Sequence, residues 1–105
     1  MIVTTTPTIE GQPVKQYIGI VSAETIIGAN AFRDLTARFH DIWGGRSSSY
    51  EDVLLEGKET AIDELIERAE NWGANAIVGV SLSYEAIGES GSMLMVVATG
   101  TAVII

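Results

Sequence analysis

The chain has no cysteine, which removes disulfides, zinc ribbons, thiolate nucleophiles and iron–sulfur ligation together. A reducing compartment is compatible with that absence. Histidine occurs once, at His40 beside Asp41, so a transition-metal site within one subunit would have to take every other ligand from carboxylates. Basic residues are scarce: six Lys and Arg stand against fourteen Asp and Glu, a net charge of -8. Such a surface repels phosphate backbones, and nucleic acid is not an expected partner. No apolar run approaches the roughly 20 residues of a helical membrane span, because the longest, Met93 to Ile105, is interrupted by Thr99, Gly100 and Thr101. The start, Met1-Ile2-Val3-Thr4, lacks the basic and apolar regions of a secretion signal. A cytoplasmic protein with no cleaved leader and no membrane partner is expected.

What is present is apolar residue in a globular arrangement. With 47% hydrophobic residues over 105 positions and no low-complexity or like-charge block, the chain reads as one domain, 1–105, near the size at which a lone subunit is only marginally able to cover its core. The stretch Met93 to Ile105 carries Met93, Met95, Val97, Val103 and Ile105 on one side of a strand and Leu94, Val96, Ala98, Ala102 and Ile104 on the other. Both faces need cover. A short chain has helix for one layer only, so the second face points to self-association.

The remaining elements follow from local pattern. Ile2 to Thr6 is rich in β-formers, and Glu10-Gly11-Gln12-Pro13 signals a turn, so this segment and Val14 to Ile26 read as an N-terminal hairpin, with Gly19 marking a bulge or a close backbone approach. Asn30 caps a first helix carrying Phe32, Leu35, Phe39, Ile42 and Trp43, which Gly44-Gly45 ends. A second helix begins at Ser48 or Ser49, with Leu54, Ala61, Ile62, Leu65, Ala69 and Trp72 as its inner stripe and Gly73 as a left-handed terminator. Gly57 inside it costs about 1 kcal/mol relative to alanine unless something packs closely there. Ala74 to Tyr84 and Met93 to Ile105 form a C-terminal hairpin around Gly88 to Ser92. Hairpin, helix, helix, hairpin predicts an α+β fold, an antiparallel sheet with helices on one face, rather than a parallel βαβ sheet.

Chemistry-bearing residues are few. Met93 and Met95 share a strand face and suit a soft cation, but methionine is more often a gap filler in a core. Glu59, Asp63, Glu67 and Glu70 share a helix face that could hold a hard cation at a subunit contact, though such a face reads first as solvated surface. The stretch Gly44-Gly45-Arg46-Ser47-Ser48-Ser49-Tyr50-Glu51 combines a pliable backbone, hydroxyls, a guanidinium and a helix N-terminus, a combination that favours anions. It lacks the spacing of a phosphate-binding Walker loop, and it also reads as a helix stop followed by a cap. No serine has a spacing that links it to His40 as a nucleophile.

The ordered set Gly28-Ala29-Asn30, Phe32-Arg33-Asp34, Gly44-Gly45-Arg46-Ser47, Tyr50-Glu51, Gly73-Ala74-Asn75-Ala76, Val78-Gly79-Val80, Tyr84-Glu85 and Gly100-Thr101-Ala102-Val103 resembles the YbjQ-like family of small bacterial proteins over the whole chain. The resemblance implies a subunit similar to the dodecin class, a homopentamer whose strands make a central barrel, and a label of heavy-metal binding with no established reaction. Relatives often carry an Asp-x-Asp where this chain has Ser81 and Ser83, and an Asp at Asn75, so a cation site built on those acids would be lost here.

The expected function is a non-enzymatic homo-oligomeric module, with Gly44, Gly45, Arg46, Ser47, Tyr50, Glu51, Tyr84 and Glu85 as the ligand-binding set and no assigned cofactor. The alternatives are divalent or heavy-metal binding, an enzyme using Arg46 with Glu51 or Glu85, and a binder of flat aromatic ligands on Trp43 or Trp72.

Overall fold

The computed structural model describes residues 1–28, 48–91 and 93–105. These form strand β1 (Ile2–Val3), strand β2 (Gln16–Ile27), helix α1 (Ser48–Asn71), strand β3 (Ala76–Ile87), a short 3₁₀ turn (Glu89–Gly91) and strand β4 (Met93–Ile104). The helix expected from Asn30 to Trp43 lies outside the described residues. So do Gly44, Gly45, Arg46 and Ser47.

β4 is central in a four-stranded sheet of order β1-β3-β4-β2. Its two-sided apolar pattern suits that place, since only an inner strand has neighbours along both edges and side chains to bury on both faces. β3 and β4 form the expected C-terminal hairpin, with Ile87 opposite Met93 at the turn and Ala76 opposite Val103 at the far end. β2 lies antiparallel on the other side of β4, from Gln16 opposite Ile104 to Ile27 opposite Leu94, and its register slips between Tyr17 and Gly19 at the expected bulge. A second slip falls between Val78 and Ser81 of β3, where Gly79 takes a φ of 62°. That left-handed conformation is one glycine adopts without a Cβ clash.

The N-terminal hairpin is not formed. β1 instead runs parallel to β3, with Ile2 opposite Ala76 and Val3 opposite Ile77. Beyond it the Thr4 amide donates to the Ile77 carbonyl, and the Gly79 and Val80 amides donate to the carbonyls of Thr6 and Thr4. The reason lies in Ile9 and Val14. They pack on Ala76, Val78 and Val103 on the face opposite α1, so the connection crosses beneath β3 and β4 before β2 begins. Covering that apolar end of the sheet outweighs a local pairing across a long loop. The sheet is therefore mixed, not purely antiparallel. β2 and β3 are also parallel to each other across β4, joined by the connection that contains α1, so the parallel crossover set aside on sequence grounds is present in split form.

α1 covers the opposite face. Gly57, Ala61, Leu65 and Ala69, at four-residue steps, are its buried positions, and they meet Val21, Ala23, Ile77, Leu94, Val96, Ala98 and Ala102 of the sheet. Small residues at three of the four steps let the helix approach closely. A Cβ on Gly57 would stand 3.2 Å from a Val96 methyl and 3.3 Å from an Ile27 methyl, which explains a residue that the helix otherwise disfavours. The helix ends in a Schellman motif: the Ala74 amide donates to the Ala69 carbonyl, the Gly73 amide donates to the Glu70 carbonyl, and Gly73 has a φ of 87°. Trp72 stands at the cap rather than in the stripe, and it is 51% exposed. The inner-stripe assignment of Trp72 is thereby corrected.

The tightest point of the sheet is Gly100 in β4, where a Cβ would lie 2.7 Å from Ile77 Cγ2 and 3.3 Å from the Val78 carbonyl oxygen. Overpacking of this kind costs about 1–3 kcal/mol. Gly100→Ala is expected to lower the unfolding free energy by that amount, read as a lower urea midpoint at an unchanged denaturant slope, and an unaltered midpoint would show that the β3 bulge yields freely.

Candidate functional site

Alternation divides the sheet into two chemically distinct faces. On the helix side, β4 places Leu94, Val96, Ala98, Gly100 and Ala102, all buried. On the other side it places Met93, Met95, Val97, Thr99 and Thr101, all partly exposed. Their partners on β2 are Ile26, Glu24, Ser22 and Ile20, opposite Met95, Val97, Thr99 and Thr101 respectively. On β3, Ile87, Glu85, Ser83 and Ser81 stand opposite Met93, Met95, Val97 and Thr99. Ile20 is 80% exposed and Ile26 is 55% exposed. This face is covered at one end by Ile9, Val14 and Ile105. Beyond that end no described element packs on it.

The expected ligand-binding residues are distributed over different parts of the fold. Tyr84 is opposite Val96 and so belongs to the helix side of β3, at 47% exposure. Glu85 is opposite Met95 on the other face. Neighbouring residues of a strand point to opposite sides of a sheet, so the Tyr84-Glu85 pair cannot close on a single ligand within one subunit. Glu51 lies in the first turn of α1, the backbone of Tyr50 is in the same turn, and the glycine-rich corner that precedes them is outside the described residues. Met93 and Met95, read as gap fillers of a core, are not in the helix-side core but on the partly exposed face with Glu85.

Two polar arrangements escape a reading by motif. Asn75 sits beyond the start of β3, and its side chain engages Ile105 reciprocally: Nδ2 donates to the Ile105 carbonyl at 3.1 Å, and the Ile105 amide donates to Oδ1 at 2.8 Å. The side-chain amide thus continues the β3–β4 ladder by one step. An aspartate could accept but not donate, so asparagine here serves the fold. Arg68 reaches from α1 across the edge of β2, donating to the Ser22 carbonyl at 2.6 Å and to Glu64 at 2.7 Å, with Glu24 at 3.7 Å. Spacing reveals only its i,i+4 relation to Glu64; the strand carbonyl is a tertiary contact that no local signal announces.

Among the described residues no group of three His, Cys, Asp or Glu side chains is placed to hold a metal ion. The chain has no cysteine, and Ser81 and Ser83 are exposed on β3. No described helix is long and apolar enough to cross a membrane.

The fold is of the α+β class, a four-stranded mixed sheet with one helix among the described residues. It is similar to the crystal structure of a protein of unknown function from Pediococcus pentosaceus ATCC 25745, belonging to the DUF74 family, with a TM-score of 0.69 and 16% identity over 100% of this chain and 97% of that one. The chain belongs to the YbjQ_1 family, whose model is described as "Putative heavy-metal-binding" and matches residues 1–105.

The role given to Asn75 has a direct check. Asn75→Asp is expected to lose the donation to the Ile105 carbonyl and about 1 kcal/mol of stability by chemical denaturation. Equal stability of the two proteins would mean that the ladder extension contributes nothing.

Proposed function

We propose that the protein is a non-enzymatic, cytoplasmic homo-oligomeric module whose subunits associate through the sheet face that α1 does not cover. The observation that carries this reading is the central strand: β4 is apolar on both sides, yet Met93, Met95 and Val97 are only partly buried, with Ile20 and Ile26 exposed beside them. An apolar face of this kind loses water at about 25 cal/mol for each Å² that a second copy covers. Ser22, Ser81, Ser83, Thr99 and Thr101 on the same face give it hydroxyls that can pair or hydrate without introducing charge. A dodecin-like protomer in a pentameric ring is what the family resemblance implies, and a closed ring lets every copy use the same face. Ligand binding falls to the corner of Gly44, Gly45, Arg46 and Ser47 with Tyr50, Glu51 and Tyr84. Glu85, on the association face, contributes there from a neighbouring subunit.

Sedimentation equilibrium at low micromolar concentration is expected to return a multiple of the 11.2 kDa subunit mass. Ile20→Glu, at a position already open to water, is expected to shift the protein to monomer with its far-ultraviolet circular dichroism retained. A wild-type monomer would overturn the proposal.

A further inference from the structure

One polar residue stands where the helix-facing side of β2 is otherwise apolar. The row is Val21, Ala23, Thr25 and Ile27, and Thr25 is opposite Val96, itself fully buried under α1. The Thr25 hydroxyl is shielded from solvent and has no hydrogen-bond partner among the described residues. Valine has the same shape and would occupy this position without the desolvation penalty of an unmatched hydroxyl. Thr25 is one wall of a cleft of about 310 Å³ between the end of β2 and the first half of α1, also lined by Ile26, Ile27, Val53, Glu56, Gly57 and Thr60. Ile27 and Val53 give it apolar wall. Thr60 and Glu56, both exposed and one helical turn apart, place a second hydroxyl and a carboxylate at its rim. Among the described residues Glu56 has no ion pair.

A shielded hydroxyl, apolar walls and a carboxylate with no ion pair among the described residues have a definite complement. We infer that this cleft binds a small organic cation, a primary ammonium group on a short apolar body. The ammonium is placed at Glu56 and within reach of the threonine hydroxyls, and the hydrocarbon lies against Ile27 and Val53. A primary ammonium offers three donors, enough to serve a carboxylate and two hydroxyl oxygens at once. The net charge of -8 raises the local concentration of such a cation and lowers that of an anion of the same shape. The cleft opens on the helix side of the sheet, and Ile26 of the association face borders its edge.

The probes are n-butylammonium, with n-butanol and butyrate as neutral and anionic counterparts, titrated into the full chain and followed by amide chemical shifts. Butylammonium is expected to give saturable shifts centred on Thr25, Glu56, Gly57 and Thr60, with a Kd on the order of 1 mM. Thr25→Val is expected to weaken binding about fivefold while raising the melting temperature of the free protein, because the orphaned hydroxyl is gone. Glu56→Gln is expected to weaken it about tenfold or more. Equal responses to butylammonium and butyrate would overturn the assignment. So would the absence of saturable shifts at these amides in wild type, or a Thr25→Val protein that binds as tightly as wild type.

Discussion

A single strand with apolar side chains above and below it dictates this architecture. β4 has to be internal, so it takes β3 on one edge and β2 on the other, and its two faces then require two different covers. One is α1, whose Gly57, Ala61 and Ala69 let the helix backbone settle close to the sheet. The other is improvised from the connection between β1 and β2, where Ile9 and Val14 close over Ala76, Val78 and Val103. That second cover is short, and most of the far face keeps its apolar side chains partly in water.

How much of this was legible in the chain varies with how local the deciding interaction is. The boundaries of β4 and α1, the hairpin through the 3₁₀ turn, the bulge near Gly19 and the left-handed Gly73 all follow from patterns within a few residues of each other, and the fold reproduces them. The pairing of β1 does not. Its strand character is local, but its partner is β3, more than seventy positions away, chosen because Ile9 and Val14 are needed under the sheet. Trp72 is a smaller case of the same kind, since helical periodicity places it inward until the Schellman turn redirects the chain.

The candidate site shows a similar division. Tyr84 and Glu85 enter the expected binding set as one of the pieces of the family resemblance, whereas in a strand adjacency separates side chains across the sheet. Arg68 was absent from any motif because its partner is a backbone carbonyl, which has no residue identity to read. Thr25 was likewise unremarkable as one more β-branched residue; only its place in an apolar row under the helix gives its hydroxyl meaning. The purpose of Asn75 becomes clear only when Ile105 lies beside it.

The guanidinium of Arg68 on the Ser22 carbonyl also bears on how far any growth of the sheet can proceed. An outer strand offers its unpaired amides and carbonyls to whatever extended chain comes near, and indefinite stacking is the hazard of that offer. Here a newcomer along β2 would meet a charged group already seated at mid-strand, anchored from the helix by Glu64 and flanked by Glu24. Lateral zippering has to prise that latch off, so the charge seated on β2 discourages fibres.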